Sequence, residues 1–183
     1  LVLGVMVLII VMSVMNGFDR EMQTRVLGMV PHGTISQPEG MSDWPMLLDT
    51  LAASPDVVAA TPYIESQGLL SVDNVTRGVM IYGIDPERHD RVSIVGEHFV
   101  AGQLNDLTPG RFGSVLGDIL ARILGVGIGD SVTLMVPEVS VSIAGLAPRF
   151  KRFEVVGLFS VGAEMDSGLA YINMRDAAKL LRM

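Results

Sequence analysis

Hydrophobic and polar positions divide this chain into an all-apolar start, a one-sided helical stretch and a long alternating region. From Leu1 to Phe18, LVLGVMVLIIVMSVMNGF, there is no charged residue, and apolar side chains fall on every face rather than on one stripe. A helix of that pattern belongs in lipid or in a deep core. Fifteen residues to Met15 rise only about 22 Å, against roughly 30 Å of bilayer hydrocarbon. The run is therefore expected to be the end of a transmembrane helix that starts before Leu1. A buried core helix and a signal remnant are the alternatives. A signal peptide fits less well, because no Lys or Arg precedes the run and no small-x-small cleavage pattern lies near Ser13 to Gly17.

Beyond the run, Phe18, Met22, Val26 and Met29 recur at helical spacing while Asp19, Arg20, Gln23 and Thr24 take other faces. Glu21 and Arg25 form an i,i+4 pair in the favourable order. Pro31 ends the pattern, with Gly33 just beyond. One continuous helix leaving the membrane near Asn16 is the economical reading, and two helices broken at Asn16-Gly17 the alternative.

From His32 the period shortens. His32 to Gln37 is expected to be a strand, and Pro38 to Met41 a turn. Ser42 or Asp43 can cap a helix through Trp44, Leu47, Leu48 and Leu51 that Ser54-Pro55 stops. Val57 to Ala60 and Tyr63 to Val72 read as extended, Asp73-Asn74 as a turn and Thr76 to Ile84 as the returning strand. The charged stretch Asp85 to Arg91, DPERHDR, is a solvated connection and the expected subdomain boundary. Phe112 to Leu116 predicts a strand, and Asp118 to Leu124 a helix ended by Gly125. Ser131 to Val136 predicts another strand, Val161 to Ser167 a loop, and Leu169 to Asn173 a further strand. Asn173 can cap a final helix from Arg175 to Met183; that helix has no terminator, so the chain is expected to continue.

The most informative polar stretch is Pro137 to Arg152, PEVSVSIAGLAPRFKR. Val139, Val141 and Ile143 alternate with serines, Ala144, Gly145, Leu146, Ala147 and Pro148 break the period, and Phe153 to Phe159 resumes as an apolar strand. This predicts a long hairpin whose end places Leu146 and Pro148 beside Arg149, Phe150, Lys151 and Arg152. Three of the chain's 13 basic residues thus fall in four positions. A solvated hairpin end accounts for the charges alone. Apolar groups rimmed by Arg are the composition of an interface hot spot, so a protein-docking loop is the competing reading.

Composition narrows the function classes. The 183 residues carry a formal net charge of -7, all of it after Phe18, which argues against nucleic acid as a partner because phosphate binding needs a basic face. With no cysteine there are no disulfides, thiolate metal sites or thiol nucleophiles. The glycines of Gly125-Val126-Gly127-Ile128-Gly129-Asp130 precede a strand, lack a following Lys-Ser/Thr and end on an acid, so they read as turn chemistry, not a phosphate cradle. His32, His89 and His98 are too scattered for metal-ligand spacing, and there is no GxSxG elbow. Glu164 and Asp166 read as turn residues before they read as a catalytic pair. No cofactor and no catalytic residue is expected.

Several segments together resemble the lipoprotein-releasing ABC transporter permeases, the LolC/LolE family. These are Met15-Asn16-Gly17-Phe18-Asp19-Arg20-Glu21, Leu27-Gly28-x-x-Pro31-His32, Leu124-Gly125-Val126-x-x-Gly129-Asp130, Met135-Val136-Pro137 and Asp176-Ala177-Ala178-x-Leu180-Leu181. They run in order along nearly the whole chain. The LGVxxGD element is shared more widely with MacB-type permeases.

The resemblance implies an α+β fold with a MacB-like periplasmic core on a membrane-exit helix. Residues 1–15 would end a transmembrane helix and 16–31 form the exit helix. Residues 32–84 would be the first half of a porter-like αβ subdomain, 85–173 a β-rich subdomain with the hairpin at 137–152, and 174–183 the start of the return. It further implies the bacterial inner membrane, with residues from about Asn16 in the periplasm. The partners implied are a cytoplasmic ATPase subunit, a second permease subunit, a periplasmic lipoprotein chaperone and lipoprotein cargo. In such subunits a hairpin hook and a nearby basic pad grip the chaperone. Here the hook would be Ala144, Gly145, Leu146, Ala147 and Pro148, and the pad Arg149, Phe150, Lys151, Arg152 and Thr133. Phe150 and Thr133 stand where polar and Arg residues are expected. The coupling helix would use Asn16, Gly17, Phe18, Met22 and Val26. ATP hydrolysis would belong to a partner, so the chain itself would not be an enzyme. The rival from another class is a MacB-like or FtsX-like mechanotransmission domain serving efflux or control of cell-wall hydrolases, and a periplasmic hydrolase is a weaker one.

Overall fold

The computed structural model describes residues 2–27, 31–37, 40–137, 149–162 and 164–183, with the backbone alone at 19–27 and 164. Helix α1 (Val2–Leu27) is unbroken through Asn16 and Gly17. Its 26 residues span about 39 Å, and its side chains from Val2 to Phe18 are exposed. Among the described residues no helix is both long and apolar enough to cross a membrane.

The rest builds one mixed sheet. Strands β1 (Tyr63–Val72) and β2 (Val75–Ile84) pair antiparallel along their whole length around Asp73-Asn74, with Asp73 in the left-handed region that such a tight turn needs. Strand β3 (Phe99–Ala101) is short, and β4 (Gly113–Gly117), β5 (Ser131–Val136), β6 (Arg149–Phe159) and β7 (Leu169–Asn173) follow. β2 pairs parallel with β7, β7 antiparallel with β4, and β4 parallel with the second half of β6. The first half of β6 pairs with β5, and β5 with β1. The pairing thereby closes into a ring of six strands, β6-β4-β7-β2-β1-β5, with β3 added on the free edge beside the end of β6. The connection expected as a boundary at Asp85 leaves β2 as the short helix α3 (Pro86–His89), and strands from both sides of it share this sheet.

Two apolar cores lie on the two faces. One contains Leu70, Ile81, Leu116, Val132, Leu134, Phe153 and Ile172 and is completed by α4 (Asp118–Leu124) and α5 (Met174–Leu181) through Leu120, Leu124, Ala177 and Leu180. The other contains Ile84, Val95, Leu107, Val115, Phe159 and Tyr171, covered by the chain between Asp85 and Leu107. β4 and β7 have both faces filled and are buried at every position, which is why neither carries a charged residue or an alternating polar face.

Most predicted elements are present within a residue or two. Asn173 caps α5, its Oδ1 accepting from the Arg175 N–H at 2.9 Å, and Gly125 ends α4 in the left-handed region at φ 70°. α2 (Trp44–Ala52) forms where expected, although Asp43 makes no side-chain cap. Two expectations are corrected. His32 to Gln37 and Val57 to Ala60 are not strands. The first is exposed throughout and pairs with none of the seven strands, so its alternation has no sheet to act on. The second follows α2 as an irregular connection into β1.

Candidate docking surface

The residues predicted as a docking pad arrive on the β5–β6 ladder. Register pairs Val136 with Arg149, Met135 with Phe150, Leu134 with Lys151 and Thr133 with Arg152. Alternation then divides the four consecutive residues between two faces. Arg149 and Lys151 lie on the side of Phe153 and the helix-covered core. Phe150 and Arg152 lie on the opposite side, with Met135 and Thr133 as cross-strand neighbours. β1 extends this outer face, pairing Leu69 with Met135 and Ser71 with Thr133.

The outer face is an apolar row, Leu69-Met135-Phe150, beside a polar row, Ser71-Thr133-Arg152. Phe150 is 61% exposed and Leu69 36%, whereas Leu70 and Leu134 on the reverse side are almost fully buried. Arg152 is exposed and Thr133 half-buried. No chain covers this part of the sheet among the described residues, unlike the same face over β4 and β7. The hook residues Ala144, Gly145, Leu146, Ala147 and Pro148, together with the alternating serines before them, lie outside the described residues.

The inner pair is engaged within the domain. Arg149 donates from Nη1 to the Leu180 carbonyl at 3.0 Å, a cation on the last turn of a helix. Lys151 places its Nζ 3.8 Å from the centre of the Phe112 ring. Of the predicted pad, Phe150, Arg152 and Thr133 therefore face outward, and the basic cluster that looked single in sequence is split by the strand period.

The coupling residues Asn16, Gly17, Phe18, Met22 and Val26 all lie on α1. Phe18 is 64% exposed and follows Ile10, Val11, Val14 and Met15 on one apolar surface of the helix.

The two fully buried carboxylates, Asp166 and Asp176, are held mainly by backbone N–H groups. Asp166, fully buried, accepts from the Val161 N–H at 3.1 Å, the Gly162 N–H at 2.8 Å and the Ser160 hydroxyl at 3.3 Å. It is a turn-forming carboxylate. Asp176, also fully buried, accepts from the Gly110 N–H at 2.8 Å and the Phe112 N–H at 3.1 Å. The reading of the sequence missed Asp176 as a site; its signal was an acid in the first turn of an amphipathic helix. Asn173 does two jobs, donating from Nδ2 to the Leu107 carbonyl at 2.8 Å besides its cap.

His89 packs on Tyr171 with ring centres 5.4 Å apart, and both ring nitrogens are enclosed without a hydrogen-bond partner. Burial pushes its pKa down to about 4, against a weaker upward pull from Asp90. His98 meets the Ile94 carbonyl through Nδ1 at 3.1 Å. Among the described residues no three His, Cys, Asp or Glu side chains come together as metal ligands. The concavity beneath α5, lined by Ile64, Ile81, Ile172, Ala177 and Leu180, is apolar apart from Ser66.

Residues 1–182 match the family described as MacB-like periplasmic core domain. The chain is 42% identical over 99% of its length to the lipoprotein-releasing system transmembrane protein LolC of Xylella fastidiosa and 40% to that of Neisseria meningitidis, spanning 44% of each. It is 28% identical to the corresponding LolE protein of Haemophilus influenzae, again over 44% of that protein. It thus spans less than half the length of these relatives. In structure it is similar to the extracellular domain of the noncanonic ABC-type transporter YknZ from Gram-positive bacteria. That likeness has a TM-score of 0.55 and 12% identity, over 80% of this chain and 70% of the other. With an α+β core on a continuous leading helix and a sequence of the LolC/LolE type, the chain belongs to the MacB-like periplasmic core domain family.

Proposed function

We propose that this chain is the periplasmic part of a permease subunit of an ABC transporter that extracts lipoproteins from the bacterial inner membrane and passes them to a periplasmic chaperone. The reading is carried by one observation, the 42% identity over 99% of the chain to a LolC protein. α1 is the end of a membrane helix, and the chain enters the periplasm near Asn16. ATP is hydrolysed by a cytoplasmic partner subunit, a second permease subunit completes the membrane part, and this chain breaks no bond itself.

The chaperone docks at the hook, Ala144 to Pro148, and on the outer face of its stem. Phe150 and Leu69 supply apolar area, and Arg152 supplies the charge at the rim, the arrangement in which a few residues dominate binding. Arg149 and Lys151 hold the stem from the other side.

A capture experiment tests the docking. In the full-length permease, Leu146→Glu with Pro148→Glu is expected to abolish retention of the chaperone, and Phe150→Glu to weaken it at least ten-fold, the loss of one central anchor of about 1.4 kcal/mol or more. Undiminished capture by the doubly substituted, folded protein sinks the hook assignment. If the full-length permease with its ATPase releases no lipoprotein at all, the mechanotransmission reading replaces this one.

A further inference from the structure

Phe112 is a bulky residue in the left-handed region, at φ 53°, where a side chain of its size is an outlier that surrounding contacts must hold in place. Those contacts come from two directions. From α5, the Asp176 carboxylate accepts the Phe112 N–H at 3.1 Å, and Lys179 Nζ lies 5.8 Å from the ring centre. From β6, the Glu154 N–H donates to the Phe112 carbonyl at 2.9 Å, Phe153 meets the ring edge-on at 5.6 Å, and Lys151 Nζ caps its face at 3.8 Å. A second bridge joins the same two elements directly, from Arg149 to the Leu180 carbonyl. Sequence separates β6 from α5 by β7 and a turn, and neither pairs with the other in the sheet. The joint is made by side chains and by one strained residue.

We propose that Phe112, Asp176, Lys151 and Arg149 form a latch that couples the stem of the β5–β6 hairpin to α5. A displacement of the stem, as when a partner docks on its outer face, is then passed to the helix, and the reverse. The proposal rests on the docking reading only for what moves the stem; the coupling itself belongs to the fold. These are positioning residues, since none of the four lies on the outer row that would touch the partner. A coupling of this kind is a free energy shared by both ends, so loosening either end must loosen the other. The strain at Phe112 favours this role, because a conformation held only by its contacts is released when one side of them is lost.

Amide exchange in the full-length permease within its complex tests the latch. Asp176→Asn touches no stem residue, yet it is expected to speed exchange at 131–136 and 149–154 about ten-fold, the worth of a hydrogen bond to a charged group. Arg149→Gln is expected to speed exchange in the last turn of α5 by a similar factor, and Arg149→Lys to restore most of it. The double variant should show less than the product of the two effects. The part of the β2–β7 ladder away from the start of α5, residues 80–82 and 169–171, should keep its wild-type exchange in all of them. Two results overturn the proposal: each substitution perturbing only its own surroundings, or the β2–β7 ladder opening in parallel, which makes the contacts plain contributors to global stability. Failure of chaperone capture with the exchange pattern intact removes the docking reading and leaves the latch standing.

Discussion

His89 shows how one side chain ties stability to acidity. Its ring covers Tyr171 at the edge of the second core, with neither nitrogen bonded, and burial lowers its pKa from the ordinary 6.5 to about 4. Above pH 6.5 both the folded and the unfolded chain hold it neutral, and it costs nothing. As pH falls from 6.5 to 4 the unfolded chain takes up the proton first, so folding stability drops through that window and levels below it. The loss is about 3 kcal/mol. His89→Leu should remove this part, and thermal melts of the two proteins at pH 7 and pH 4 give the comparison, the acid dependence common to both cancelling. An equal fall in both proteins means the ring is hydrated and the burial argument fails. Nothing in the sequence singled out His89 from His32 and His98, because the property comes from packing between α3 and β7, which are far apart along the chain.

At the scale of elements, close approach is set by glycine. A Cβ on Gly83 in β2 would lie 2.4 Å from the Ala177 Cβ of α5 and 3.3 Å from the Ile64 Cβ, so the helix sits on the sheet only because that position is bare. Gly83→Ala should destabilise the domain by about 2 kcal/mol through overpacking, read as a lowered urea midpoint. Adding Ala177→Gly should recover part of this, despite the roughly 1 kcal/mol that glycine costs in a helix. An unshifted midpoint for Gly83→Ala would show that α5 can slide, and the packing account would be wrong. Local chemistry made many elements legible in sequence: the Asp73-Asn74 turn, the Gly125 stop and the Asn173 cap each act within four residues of themselves. What pairs with what was not legible. The 92–111 region, which carries no clean period, forms β3 and the cover of the second core, and the ring closure through β5 depends on contacts between strands about 60 residues apart. For the same reason the pad read as one basic cluster: the register that puts Arg149 and Lys151 on the face of Phe153 and α5 is a property of the ladder, not of the four letters.

For the whole molecule the question is whether α1 is a tether or a lever. Its side chains from Val2 to Phe18 are exposed and uncharged, and all but Ser13 and Asn16 are apolar; the helix continues nine residues further, to Leu27, without a break. A tether needs only the apolar part. A lever needs the polar continuation to be stiff, since a helix transmits displacement along its axis only while its hydrogen-bond ladder is intact. Gln23→Pro removes one backbone donor and drives the ring into the preceding turn, about 3 kcal/mol against the helix, at a position outside the apolar run. On the function proposed above, that variant should insert into membranes and dock chaperone as the wild type does, while ATP hydrolysis continues without release of lipoprotein. Gln23→Ala, which keeps the helix, should release normally and so excludes a role for the side chain. Release at the wild-type rate by the proline variant would make α1 a passive anchor, and the energy of ATP hydrolysis would then have to reach the domain by another segment of the full-length protein.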